Sequence, residues 1–309
     1  MNPLPANAGI PDHIARITVI AFHAFTQLVR MKVFYFLAFF ALILIASNFF
    51  NLPQHEGPEA AGLDVLRAIK SWSLGAMTLF SVVLSIVSTA LLLPKDVEDR
   101  TLYTILAKPV PRLDYLAGKL LGVLLLIFVS LAIMDALMTG ILHIRTNMVL
   151  ADQMGFAKAN NWTPEEITFL KKDILDLGPS ASLQAAVFAV FLKATIIASL
   201  ALFISTFSTS TLFTTIIAFL IYFIGHFQAS ARDAFLSQQA GMSDSIFAKI
   251  VTLLVALVFP DFELFNVIDA VIQGAILPLA ILGKLVLIAI LYTVFYILAS
   301  WLIFAKKEF

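Results

Sequence analysis

None of the 309 residues is a cysteine, so no disulfide staples the chain and no thiolate can hold a metal. Charge is scarce too: 13% of residues carry it, about half of what a soluble domain uses. The 20 basic and 20 acidic residues cancel, which leaves no net basicity to attract nucleic acid. Five histidines are scattered, at positions 13, 23, 55, 143 and 226, and none sits in an H-E-x-x-H pattern, so a zinc protease of that type is excluded. No Ser/His/Asp grouping stands out from spacing. A phosphate loop is missing as well: Leu116–Leu120 offers Gly-Lys without the upstream glycine or the following hydroxyl. No cleavable leader is expected, because the first long apolar run opens near Val33 and is too long for a signal core.

Apolar surface, by contrast, is abundant. Hydrophobic residues make up 61%, with 28 phenylalanines. A soluble fold of this size would leave large sticky patches in water. The chain reads as a multi-pass membrane protein.

Charge-poor windows of about 20 residues, enough to cross roughly 30 Å of hydrocarbon, mark the spans. They are Val33–Leu52, Trp72–Leu93, Leu116–Leu142, Leu183–Phe207, Leu212–Gln228 and Ile281–Phe304. Ile246–Pro260 is also apolar, but short and interrupted by Lys249, which suits a re-entrant or interfacial segment. The fold class expected is therefore all-α: a polytopic membrane protein with six spans in a single domain over 1–309. An interfacial elbow helix occupies 10–32, where Ile14, Ile17, Ala21, Phe25 and Leu28 share a face. Lys and Arg are denser on the side holding Arg16, Arg30, Lys32, the 95–119 segment, Lys306 and Lys307, so both termini are expected in the cytoplasm. The regions 143–182 and 229–280 then fall on the opposite side.

The cytoplasmic segment 95–115 carries the most information. Leu92–Gly122 reads LLPKDVEDRTLYTILAKPVPRLDYLAGKLLG: dense in charge, flanked by apolar runs, and punctuated by two prolines. Lys95–Leu106 has the pattern of a short helix. Pro109 and Pro111 stop it and stiffen the connection to the next span, and Asp114 is placed to cap the helix that re-enters the membrane. A braced helix joined directly to two spans suits force transmission from a cytoplasmic partner.

This segment resembles the cytoplasmic signature of the type-2 family of ATP-binding-cassette (ABC) transporter permeases. The residues that carry the resemblance are Glu98, Thr101-Leu102, Pro109-Val110-Pro111-Arg112 and Gly118-Lys119. The preceding elbow, the FPDFELFN stretch at Phe259–Asn266 and the basic tail FAKKEF extend it over the chain. The nearest likeness is to the branch with permeases of multicopper-enzyme maturation and gliding motility. Arg100 stands where many relatives have glycine. The resemblance implies a non-enzymatic permease subunit, an exporter, in the cytoplasmic (inner) membrane. It implies no cofactor of its own, ATP being bound by two copies of a separate ABC ATPase subunit, and a second permease copy as homodimer or paired heterodimer. Glu98, Arg100, Thr101, Leu102, Pro109, Arg112, Gly118 and Lys119 would form the ATPase-coupling element. An ATP-independent secondary transporter and a noncatalytic scaffold moved by an ATPase are the alternatives.

Two charges inside spans, Asp135 and Lys193, lie at similar depth by residue count. They read either as an ion pair locking two helices or as a substrate contact or proton relay. Thr78, Ser81, Ser85 and Ser88 form a narrow small-residue face suited to close helix packing or to lining a pathway. Outside the membrane, Thr163, Pro164 and Glu166 announce a capped helix that ends at Gly178-Pro179, with an apolar stripe at Ile167, Leu170, Ile174 and Leu177. That stripe suits packing on the spans or docking of a partner.

The cysteine-free background gives a direct test of topology. Cysteines introduced at Ala6 and Lys307 should both resist a membrane-impermeant thiol reagent in intact cells. Labelling of Lys307→Cys alone would mean that Ile246–Pro260 crosses the membrane.

Overall fold

The computed structural model describes residues 10–30, 39–40, 42–43, 62–98, 110–208, 210–238 and 259–306, and these are helical with no strand among them. Helices are what a bilayer permits, because each backbone N–H and C=O must find its partner inside the segment. The elements are α1 (Ile10–Val29), α2 (Leu63–Glu98), α3 (Arg112–Ala159), α4 (Pro164–Asp176), α5 (Ala181–Phe207) and α6 (Thr211–Gln238). A 3-10 turn (Glu263–Phe265), the short α7 (Ile268–Ile272) and α8 (Leu279–Lys306) complete the order. Among the described residues five stretches are long and apolar enough to cross a membrane: Leu63–Leu92, Arg112–Ala159, Pro164–Phe207, Thr211–Gln228 and Leu279–Ala305. In the third, the apolar part is α5. The expected span Val33–Leu52 falls largely outside the described residues, as does most of Ile246–Pro260.

Helix α5 is the pillar of the bundle. Within its stretch 78% of the most apolar window is buried by protein, against 17% for α6 and α8, so α5 is surrounded and the other two are peripheral. Small residues on α5 let neighbours approach: Ala186, Ala189, Ala194, Ala198 and Ala201 are buried. Helix α2 packs along one side of it, α8 along another, with α3 and α6 completing the ring. The serine face of α2 is buried in this packing at Ser81, Ser85 and Ser88. Ser81 and Ser85 donate to carbonyls of their own helix, Thr78 and Ser81 respectively, so that face supplies contact rather than a polar lining.

Two helices run past their expected ends. Span two does not stop at Pro94; α2 carries through it to Glu98, giving up the one hydrogen bond that a proline N–H would make. Helix α3 is 48 residues long, or about 72 Å at 1.5 Å per residue, more than twice the hydrocarbon thickness. Nothing interrupts it, because no proline falls between Pro111 and Pro164. Since Arg112 touches the last turn of α8, the excess length of α3 projects from the opposite end of the bundle. Helix α4 folds back onto that projection with the expected capping box: Glu166 N–H donates to Thr163 Oγ1, and Thr163 N–H to Glu166 Oε2. Its stripe turns inward, with Leu170, Ile174 and Leu177 buried against the bundle.

Helix α1 packs against the start of α3. Three contacts fix its direction: His13 with Asp114, Ile17 with Gly118, and Ala21 with Gly122. All three share one sequence offset, 101, so α1 lies parallel to the start of α3 and side by side with it. The cause is the Gly118-x-x-x-Gly122 notch, which lets two backbones approach closely. A Cβ at Gly122 would lie 2.6 Å from the Ala24 Cβ and 2.7 Å from the Ala21 carbonyl oxygen. The opposite face of α1 exposes Ile14, Val19 and Phe22.

Filling the notch should separate the helices. Gly122→Val should lower stability by about 1–3 kcal/mol, the usual cost of overpacking. Gly140→Ala makes the control, because Gly140 has nothing within 4 Å of a built Cβ and lies mid-helix. It should leave the melting temperature of the purified protein unchanged or raise it slightly.

Candidate functional site

The first turns of α3 divide their side chains among three neighbours. Pro111 is extended (φ −56°, ψ 134°) and the helix begins at Arg112. From there Asp114, Gly118 and Gly122, spaced by four, face α1. Tyr115 and Lys119, also four apart and one position on, face α2. Arg112 reaches α8. Helical periodicity alone produces this sorting.

At its centre is a buried ion pair. Lys119 Nζ lies 2.6 Å from Asp96 Oδ2, and the Tyr115 hydroxyl donates to the same oxygen at 2.6 Å. Tyr115 is fully buried, Lys119 is 2% exposed and Asp96 6%. The ammonium also sits 5.7 Å above the Tyr115 ring. Two ions taken out of water are tolerated only when geometry is close and further hydrogen bonds complete the shell, and both conditions hold here.

The surrounding contacts draw in the other helix ends. Arg112 Nη1 donates to the Phe304 and Ala305 carbonyls, each at 2.6 Å, which satisfies orphan acceptors in the last turn of α8. Its guanidinium lies 6.0 Å from the Phe304 ring centre, and Tyr115 stacks on the same ring at 6.1 Å and 13°. His13 Nδ1 donates to Asp114 Oδ2 at 2.7 Å. Asp114 therefore does not cap α3, as its position suggested. It sits in the first turn, where a negative charge suits the helix dipole, and it holds α1. The ends of α1, α2, α3 and α8 meet in one node.

Of the expected coupling residues, Arg112, Gly118 and Lys119 belong to this node and face inward. Glu98 closes α2. Arg100, Thr101, Leu102 and Pro109 lie outside the described residues, in the segment that joins α2 to α3. Asp96, Tyr115, Asp114 and His13 are members of the node that the resemblance does not single out. One signal for them is present in the sequence: Lys119 shares a helical face with Leu116, Leu120 and Val123, which places it toward the protein interior, where a charged residue is usually paired.

The intramembrane charges are not partners. Thr139 Oγ1 donates to Asp135 Oδ1 at 3.4 Å, and Gln184 Nε2 donates to Thr139 Oγ1 at 3.2 Å, close enough to stabilise the Asp135 charge. Lys193 lies nine residues beyond Gln184, about 14 Å along α5, and turns toward α6. The expected Asp135–Lys193 ion pair is therefore absent, because the two charges leave their helices at different levels. Lys193 is 5% exposed and its ammonium stands 5.6 Å over the Tyr222 ring. A second buried lysine, Lys70 on α2, has no hydrogen-bond partner among the described residues, and the field of Asp176 reaches it. Among the described residues no group of three or more His, Asp or Glu could hold a metal ion.

No family model matches the chain, and no curated protein matches it. The node and the sequence carry the functional reading.

Breaking the pair from one side should expose its cost. Asp96→Leu or Lys119→Met alone should lower stability by about 3–5 kcal/mol, since each strands a buried charge. Asp96→Leu combined with Lys119→Met should recover most of that loss. Thermal unfolding of the wild type and these three variants, read as a double-mutant cycle, measures the coupling.

Proposed function

We propose that this protein is the membrane-spanning permease subunit of an ABC exporter, moved by a separate ATPase rather than carrying out catalysis itself. The observation that carries this reading is the node. The cytoplasmic segment leaves α2 and enters α3 within a few residues of Asp96 and Arg112, and those residues tie α2, α3, α8 and, through Asp114, α1 together. A load applied to that segment would be shared by four helices at their roots instead of bending one. A solvated loop would need no such bracing. The sequence resemblance supports the same reading, as does a chain with no phosphate loop, which calls for ATP binding on another polypeptide. Two ATPase copies with two permease copies, both permease termini cytoplasmic and residence in the inner membrane complete the proposal.

In this reading Glu98 and Arg100 dock the ATPase, and the Pro109–Arg112 elbow passes its motion to the node. Glu98→Lys should weaken retention of the copurified ATPase by about 2–5 kcal/mol, the usual cost of losing a desolvated charged contact, while the permease stays folded. Pro109→Ala with Pro111→Ala should keep the ATPase bound but lower the transport obtained per ATP hydrolysed. Both quantities are read in proteoliposomes. Full retention and full coupling in the Glu98→Lys protein would sink the proposal. ATP-independent transport, the alternative favoured by the intramembrane Lys193, would show as uptake that persists without the ATPase.

A further inference from the structure

Beyond the node, the strap at Pro260–Asn266 crosses α6 where that helix lacks a side chain. Phe262 N–H donates to the Gly225 carbonyl at 3.1 Å, and a Cβ on Gly225 would lie 2.6 Å from the Pro260 oxygen. Phe262 is fully buried, 5.6 Å from the Tyr222 ring. The strap thereby brings Glu263 to α6: Glu263 Oε2 is 3.6 Å from His226 Nδ1, beyond a good hydrogen bond, and Oε1 accepts from Asn266 at 2.9 Å. His226 stacks on Tyr222 at 6.2 Å, and Tyr222 lies between this edge and Lys193.

Lys193 is the odd member of the group. It is nineteen-twentieths buried on the central helix, and among the described residues its ammonium has neither a hydrogen-bond acceptor nor an ion-pair partner within 4 Å. The Tyr222 hydroxyl is likewise without a hydrogen-bond partner among the described residues. The Glu263 charge acts on Lys193 without touching it. A lysine buried to this degree, with a ring face and no acceptor against its ammonium, is free to take an oxyanion.

We propose that Lys193 and Tyr222 form a binding site for an oxyanion group, a phosphate or carboxylate, and that Glu263 on the strap is its internal competitor. The competitor role fixes an unusual sign. Were Lys193 and Glu263 a structural pair, neutralising Glu263 would weaken the site. With Glu263 as competitor, neutralising it strengthens anion binding. Glu263 is half-exposed, and its carboxylate meets Asn266 at 2.9 Å and His226 at 3.6 Å.

The test is binding of a fluorescent short-chain phosphatidic acid to the permease in phosphatidylcholine nanodiscs, with the matching phosphatidylcholine probe as control. No ATPase is present, so the result stands apart from the coupling proposal. Lys193→Gln should weaken phosphatidic acid binding about tenfold or more, the worth of a charge-assisted hydrogen bond. Lys193→Arg should stay near wild type, and Glu263→Gln should bind several-fold more tightly. Excess inorganic phosphate displacing the probe would identify a free oxyanion as the ligand; failure to displace it would identify a lipid headgroup. Should Lys193→Gln fail to fold, Lys193→Arg and Glu263→Gln decide alone. Equal binding of both probes, undiminished binding in folded Lys193→Gln, or weaker binding in Glu263→Gln would each overturn the site.

Discussion

A buried ion pair is an all-or-none constraint, and the one between Asp96 and Lys119 governs how this bundle is assembled at its root. Stranding either residue inside without the other is costly, about 3–5 kcal/mol, so the two are placed together. Once the ammonium is committed to Asp96, the register of α3 against α2 is fixed to a fraction of a turn. Tyr115 then has to point at the same oxygen, its ring has to meet Phe304, and the end of α8 is drawn to Arg112. An apolar contact in the same place would hold the helices together about as well and tolerate sliding. The ionic one specifies a position.

The glycine notch extends that specification to α1. Within a membrane there is little hydrophobic gain in moving a helix from lipid to protein, so association rests on close packing and polar contacts. Gly118 and Gly122 supply the first and the His13–Asp114 contact the second. Together they hold the N-terminal helix alongside α3 over its first turns, while the outward residues Ile14, Val19 and Phe22 remain available to lipid.

Much of the architecture is legible in the chain. Charge-free windows locate spans because a bilayer penalises charge so heavily, and the capping box at Thr163 and Glu166 fixes the start of α4 to the residue. Helix ends are harder. Pro94 reads as a stop, yet a proline inside an otherwise well-packed helix removes only one hydrogen bond, and the Asp96–Lys119 pair holds the helix beyond it. Pairings are the least legible. Asp135 and Lys193 look like partners by depth, but rotation about each helix axis decides which neighbour a side chain meets, and Gln184 is nearer to Asp135. Glu263, whose charge does reach Lys193, is 70 residues away in sequence, and spacing carries no record of such a contact. The parallel course of α1 is hidden for a related reason: an amphipathic stripe reports that one face is buried, and not against what.

The length of α3 has a mechanical side. An uninterrupted helix of about 72 Å behaves over that distance as a stiff rod, with its root in the ionic node and its tip beneath the α4 hairpin. Rotating such a rod about its root by only about 5° carries the tip through roughly 6 Å, more than one helical turn. Displacements too small to strain the packing at one face of the membrane thus emerge at the other as movements large enough to rearrange a surface. Amplification of this kind requires no hinge, only leverage.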